Sequence, residues 1–309
     1  MRLTRYPHAL MTMDFATLTG FLNSLESYSQ DLVQELRGGS KLCHYTTLEG
    51  AMGIIRSGDL WLSHLRFSND DEEFLYGLRL VHEELETLAG EGSDPARIAL
   101  IRAVQALVEL QREQPIYICC FCERDNLLSQ WRGYSDNGGG VSIEFDALGF
   151  RAYSGEDSHF GLTRLWRVVY QEQSQRKVVR QALDYPFWPS ALEADRARSI
   201  SDALAFFLPT FKNGDFIDEK ERRLIFTPDP AITPKAFFRV RSGMVVPYMR
   251  MRDMAGVAST ADPPVLPIAR VVVGPGRHRM LNQASLRMLL DAHGYPTVPV
   301  DVSSTPYRG

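Results

Sequence analysis

The sequence predicts a compact α+β fold with a mixed-sheet core, and three observations lead there. Short runs of β-formers, chiefly Ile116 to Cys122 and Val141 to Asp146, have strand length and are bounded by turn residues. Longer stretches between such runs carry apolar residues at helical spacing. No internal repeat or low-complexity linker divides the chain, and only the Pro-rich stretch Asp262 to Pro267 reads as a short joint. A single domain over residues 1–309 is therefore expected, with an N-terminal helical extension over 1–40 and a core over 41–309.

Residues 14 to 37 read as an amphipathic helix, since Phe15, Leu18, Phe21, Leu22, Leu25, Leu32, Val33 and Leu36 fall near helical spacing and Gly38-Gly39 ends it. Lys41 to Ser63 then reads as strand, short helix, strand. Leu42, His44 and Thr46 alternate with Cys43 and Tyr45, which puts His44 and Thr46 on one strand face as a polar ledge. Thr46 stands three residues before Glu49 as a capping box, Met52, Ile54 and Ile55 form the apolar stripe, and Gly58 supplies the stop. A second strand covers Leu60 to Leu65. Ser68-Asn69-Asp70 starts a helix through about Leu88, where the acidic run Asp70 to Glu73 suits the positive end of the helix dipole.

After a break at Gly90 to Pro95, a further helix runs to about Arg112. Ile116 to Cys122 is almost wholly apolar, as a buried central strand would be. Asn126 to Gly140 is expected to be a turn of helix and a glycine loop feeding the alternating strand Val141 to Asp146. Leu162 to Tyr170 reads as a strand, Glu172 to Leu183 as a basic helix with a solvated face at Arg176, Lys177 and Arg180, and Ala191 to Phe211 as a helix reaching Lys212. Asp218 to Phe226 is predicted to be a strand with Glu219, Glu221 and Arg223 on one face, followed by one or two strands in Phe237 to Met251. The end has a β-α-β-like pattern: Ala269 to Val273, a Gly274-Pro275-Gly276 turn without the further glycines of a dinucleotide loop, a helix from about Asn282 to His293, and Val298 to Val302.

Hydrophobic residues are 44% of the chain and aromatics 10%, ample for a packed core. The formal charge of -4 and pI near 6.0 argue against a constitutive nucleic-acid coat protein. No run approaches the roughly 18 apolar residues that cross a bilayer, so no membrane partner and a cytoplasmic location are expected. Cys43, Cys119, Cys120 and Cys122 lack the spacing of a disulfide framework, and Cys120 with Cys122 lacks the two-residue knuckle of structural zinc. Reduced strand thiols and no metal are expected, and oligomeric state is not legible.

Four polar clusters lie at strand ends: His44 with Thr46, Asn69-Asp70 with Glu73, Trp131 with Tyr134 and Ser135, and Glu219 with Glu221. The chain resembles a bacterial family of unknown function that shares H-Y-T (His44-Tyr45-Thr46), N-D-x-x-E (Asn69-Asp70 and Glu73), W-x-x-Y (Trp131 and Tyr134) and F-x-x-E-x-E-R (Phe216, Glu219, Glu221 and Arg222). More distantly, a strand with H-x-T leading into a helix that ends I-I-x-x-G resembles the first motif of ADP-ribosyltransferases, including DarT-type toxins and tRNA 2'-phosphotransferases. The order His44, then Tyr134 with Ser135, then Glu219-x-Glu221 matches theirs, with longer spacing.

That resemblance implies an ADP-ribosyltransferase-type core with helical insertions, NAD as the substrate, and either transfer to a protein or nucleic-acid acceptor or NAD glycohydrolysis, in the setting of a toxin or phage-defence effector. Cleaving the nicotinamide-ribose bond passes through an oxocarbenium-like centre that a carboxylate stabilises. The resemblance gives that role first to Glu221, with Glu219 orienting or deprotonating the acceptor. It further implies that His44 holds the adenosine ribose with Thr46 as a second donor, that Tyr134 stacks on nicotinamide, that Arg132 pairs with the pyrophosphate, and that Tyr45, Trp131 and Ser135 belong to the same NAD-binding set. Two other readings stand beside it: a metal-dependent nuclease using Asp218-Glu219-Lys220 as a D-x-K, and a non-catalytic ligand-sensing or interaction module.

Overall fold

A computed structural model describes residues 15–28, 41–67, 71–147, 150, 161–188, 193–228, 235–241, 243–254 and 265–306. Helix α1 (Phe15–Tyr28) turns Leu18, Phe21 and Leu25 inward, and the predicted continuation to residue 37 lies outside the described residues. Strand β1 (Lys41–Thr46) leads to helix α2 (Leu48–Ser57). The cap of α2 is Thr47, whose side chain accepts from Gly50 N, and not Thr46 as the capping-box pattern predicted. Thr46 is still paired with Val141 in the β-ladder, so Thr47 is the residue that leaves the strand and turns. Gly58 ends α2 at φ 59°, as expected.

Strand β2 (Trp61–His64) and helix α3 (Asp71–Glu91) follow, and Asn69-Asp70 lie outside the described residues. Helix α4 (Pro95–Leu110), capped by Asp94, precedes the buried β3 (Tyr117–Cys122). Helix α5 (Leu128–Tyr134) and the glycine loop lead into β4 (Val141–Asp146). Strand β5 (Gly161–Arg167) stops short of the predicted Tyr170, since Val169 makes only a bridge to Phe211. After α6 (Glu172–Asp184), helix α7 (Glu193–Phe207) ends four residues before Phe211, because Pro209 lacks a backbone N–H and Leu208–Thr210 tightens to a 3-10 turn.

Strand β6 (Glu221–Pro228) starts three residues later than predicted. Asn213 caps a 3-10 turn over Gly214–Glu219, and Lys220 at φ 47° swings the chain into the strand, so Glu219 is off the strand that carries Glu221. The hairpin β7 (Phe237–Arg241) and β8 (Met244–Arg250) comes next, then the single turn α8 (Met251–Met254). The end is β9 (Ile268–Val273), α9 (Arg279–Ala292) and β10 (Val300–Val302), with β9 and β10 parallel as a β-α-β unit requires.

The ten strands among the described residues form one mixed sheet with a fork at β3. One edge of β3 is fully paired to β6, which pairs onward to β5. Along the other edge, β1 pairs only at Cys43 with Cys122, and β2 pairs at Ser63 with Ile118 and His64 with Tyr117. Helix α2 spans the departure, so Cys119 and Cys120 face a gap between two arms. One arm is β1-β4-β9-β10 and the other is β2-β8-β7.

Apolar burial holds the fork rigid from both faces. One face buries Ile118 and Ile225 with α1, α3, α4, α6 and α7. The opposite face buries Leu42, Phe121, Ile143, Phe145 and Leu224 against α2 and α9. Each such side chain contributes on the order of 1.5–3 kcal/mol, and the predicted inward alternation of Val141, Ile143 and Phe145 is what the β4 ladder needs. The glycines of the loop and of the Gly274-Pro275-Gly276 turn meet here. Gly274 N donates to Gly140 O and Gly276 N to Gly138 O, so those amides serve the fold.

Candidate active site

A cavity of about 320 Å³ occupies the fork. Its walls are β1 with Thr47, the open stretch of β3, the start of β6 with Glu219, two residues of α5 (Gln130 and Tyr134), Trp61 and Ser63 of β2, and Arg239 and Arg241 of β7. Register shows which side chains share a face. Cys43 pairs with Cys122 and Cys122 with Glu221, so these three lie abreast, about 9.5 Å across two strand spacings. His44 and Thr46 have the opposite parity, on the Leu42 side. The predicted ledge therefore does share a face, but not the face of the carboxylates. His44 reaches the cavity through the gap in the sheet, where its ring lies 5.8 Å from that of Phe121.

His44 Nδ1 stands 2.9 Å from Cys120 O. A carbonyl can only accept, so Nδ1 carries the proton and donates. Burial first, and then the nearby Arg239 and Arg241, push the imidazole pKa below 6.5, so the ring is neutral at pH 7 and Nε2 presents a lone pair. A neutral Nε2 accepts a hydroxyl hydrogen bond.

The carboxylate wall is a network of five charged side chains. Lys212, 1% exposed, places Nζ 2.6 Å from Glu219 Oε2, 3.0 Å from Glu221 Oε2 and 2.5 Å from Glu73 Oε1. Arg223 holds Glu221 in a two-pronged pair, with Nε at 2.7 Å from Oε1 and Nη2 at 3.0 Å from Oε2, and also pairs with Glu73 and donates to Pro209 O. Glu221 N donates to the Tyr170 hydroxyl, and the Phe216 ring lies 5.0 Å from Lys212 Nζ.

The two glutamates diverge. Burial pushes the Glu221 carboxyl up, but Arg223 and then Lys212 outweigh it and hold the pKa at about 2. Burial raises Glu219 above 4.5 with only partial relief from Lys212, and its Oε1 lies outside the Lys212 hydrogen bond. One carboxylate is a fixed charge and the other exchanges a proton more readily.

Of the residues singled out from sequence, His44, Tyr45, Thr46, Tyr134, Glu219 and Glu221 line the cavity. Three do not. Trp131 is fully buried, donates to Asn126 Oδ1 and packs T-shaped on Tyr45 with the ring centres 4.8 Å apart, because an indole inside a core needs one acceptor and an apolar berth. Ser135 is fully buried and turned to Val141 O, tying the glycine loop to β4. Arg132 is exposed on α5 and points elsewhere than the cavity lining. Tyr45 borders the cavity, but its hydroxyl donates to Arg124 O and accepts from Leu127 N, so it pins the loop before α5. Arg176 and Arg180, on the basic helix face, pair with Glu83, Glu84, Glu91 and Glu172.

Sequence reasoning missed Gln130, Lys212, Arg239 and Arg241. The signal for the last two was R-V-R on a strand, which alternates two cations with one apolar residue. The D-x-K pattern is not assembled as a strand element, because Asp218 and Lys220 flank Glu219 on the 3-10 turn and its exit. Among the described residues no group of three His, Cys, Asp or Glu stands where it could hold a metal ion, and the point where Glu73, Glu219 and Glu221 converge is filled by the Lys212 ammonium. No helix among the described residues is long and apolar enough to cross a membrane.

No curated protein and no solved structure matches the chain. A family model described as a protein of unknown function (DUF2971) matches residues 130–224, less than half of the chain. That segment runs from Gln130 on α5 through Lys212, Glu219, Glu221 and Arg223, so the similarity takes in four of the five side chains of the carboxylate wall, leaves out Glu73 and stops before the β7 arm.

Proposed function

We propose that the protein binds NAD in the fork and cleaves the bond between nicotinamide and ribose, passing the ADP-ribose unit to a macromolecular acceptor or to water. The observation that supports this best is the pairing of Glu219 and Glu221 in one cleft with the Tyr134 ring and the neutral His44. A volume of about 320 Å³ is at the small end of ligand clefts and suits the reactive nucleoside half of such a ligand. In this reading Glu221, kept ionised by Arg223 and Lys212, faces the positive charge that develops on the ribose. The bond from C1' to the nicotinamide nitrogen breaks and its electron pair leaves with nicotinamide. The acceptor oxygen or nitrogen attacks C1', and its proton passes to Glu219. His44 Nε2 accepts from a ribose hydroxyl, and Tyr134 covers the nicotinamide ring.

Purified full-length protein incubated with NAD, alone and with cell lysate, is expected to release nicotinamide. Glu221→Gln is expected to lower that release by about 100-fold or more. Because Glu221 is also part of the buried ion network, Glu219→Gln serves as the second variant, with loss of transfer to the acceptor as its readout. Wild-type protein that frees no nicotinamide with protein, DNA or RNA acceptors overturns the reading.

A further inference from the structure

The β7 wall carries a charge that nothing in the described structure answers. Arg239 and Arg241 are two apart on one strand, so they share a face, with about 6.8 Å between their Cα atoms, and both line the cavity. Among the described residues neither has an Asp or Glu partner. Several arginines elsewhere do: Arg223 pairs with Glu221, Arg252 with Asp59, Arg270 with Glu144 and Arg287 with Asp291, whereas Arg164 spends its guanidinium inside the core on Thr227 Oγ1 and Phe206 O and lines no cavity wall here. Arg239 is also held in place. Its Nη2 donates to Ser63 Oγ at 2.7 Å, and its guanidinium lies 5.5 Å from the Trp61 ring and 5.7 Å from the Tyr248 ring. Its Nε is buried with no acceptor. A fixed guanidinium with an unanswered donor, beside a second guanidinium, is the arrangement that receives phosphate oxygens in pairs.

Charge across the fork gives the ligand a direction. On the β6 side three carboxylates (Glu73, Glu219 and Glu221) meet two cations (Lys212 and Arg223), and on the β7 side two cations meet no described carboxylate. We infer that Arg239 and Arg241 form a diphosphate-binding site on β7, which takes the diphosphate of a nucleotide and turns the far, cationic end of a dinucleotide toward Glu219 and Glu221. The orientation rests on the NAD reading, whereas the diphosphate site itself does not.

Calorimetric titration of the full chain with ADP, inorganic pyrophosphate and adenosine tests it without any nicotinamide present. ADP and pyrophosphate are expected to bind the wild-type protein, to bind more weakly as salt rises, and to lose about 10- to 100-fold in affinity in Arg239→Gln/Arg241→Gln. Adenosine is expected to bind wild type and variant alike. Arg241→Gln alone, which keeps every Arg239 contact to Ser63, Trp61 and Tyr248, is expected to show part of that loss in a protein of unchanged melting temperature. ADP affinity unchanged in the double variant, or no binding of ADP and pyrophosphate by wild type, overturns the site. Nicotinamide release together with unchanged ADP affinity would remove the diphosphate site and leave the cleavage reading standing. ADP binding that depends on the arginines, without nicotinamide release, would do the reverse.

Discussion

The β6 wall and the β7 wall of the fork both present charge to one cavity, and they are built in opposite ways. On the β6 wall, Arg223 and Lys212 are 1% exposed and each touches more than one carboxylate, so both cations are answered within the wall. On the β7 wall, Arg239 and Arg241 are half-buried with no described acidic partner, and Arg239 leans on the Trp61 and Tyr248 rings and on Ser63. The contrast separates two uses of charge. A buried network fixes a geometry because its members satisfy one another. Partly exposed cations without counter-charges hold their electrostatic free energy for something that arrives from outside.

The largest effect that tests this contrast is on stability. Arg223→Met leaves Glu221 and Glu73 buried without their guanidinium, and removing one partner of such a pair costs about 3–5 kcal/mol. Arg241→Met removes a half-buried cation with no described acidic partner, so its effect is expected within about 1 kcal/mol. Urea unfolding of both variants measures the difference. Equal midpoints would mean that the β6 network does not organise the fold.

Acid titration sharpens the comparison within the β6 wall. Glu221 has a folded pKa of about 2 against 4.5 unfolded, so its contribution is fully present above 4.5 and is lost as pH falls through 2, on the order of 3 kcal/mol in all. Glu219 is raised, so the sign reverses. Between 4.5 and its folded value the native state binds the extra proton, and stability falls as pH rises. Unfolding midpoints measured at steps from about pH 3 to 8 should therefore give Glu221→Gln and Glu219→Gln opposite trends relative to wild type. Parallel trends would show that the two carboxylates are not electrostatically distinct.

Sequence showed the strands of the trunk more clearly than the cavity they enclose. Ile116 to Cys122 and Val141 to Asp146 were legible because a strand buried on both faces is continuously apolar and one buried on a single face alternates. The start of β6 was not, since the 3-10 turn over Gly214–Glu219 depends on the Asn213 cap and on Lys212 drawing Glu219 and Glu221 together. Motif residues divided for a similar reason. Trp131, Tyr45 and Ser135 look like ligand contacts in a pattern, yet each spends its polar atom on the loops around α5. The β7 arginines were hidden by an inverted pattern, in which Arg239 faces the cavity while Phe238 and Val240 are 65% and 78% exposed. Apolar residues usually mark the inward face, and only the pairing of β7 with β8 beside Trp61 and Ser63 reverses that.

The β1 wall closes the cavity between these two extremes, and a pair of glycines probes it with the smallest expected effects. A Cβ on Gly140 would lie 2.2 Å from Thr46 O and 3.1 Å from Thr47 Cα. Both neighbours are backbone, Thr46 in the ladder with Val141 and Thr47 at the cap of α2, so there is no side chain to swing aside. Gly140→Ala is expected to lose about 1–3 kcal/mol and to displace the Thr46-Thr47 rim of the fork. Gly53 lies inside α2, where an added Cβ meets nothing within 4 Å. Gly53→Ala is expected to gain about 0.5–1 kcal/mol, because alanine gives up less backbone entropy in a helix. Thermal melts of the two variants should move in opposite directions, and ADP affinity should fall only in Gly140→Ala. A drop in affinity in both would mean that α2 itself moves when the ligand binds, and that the β1 wall is not the rigid side of the fork.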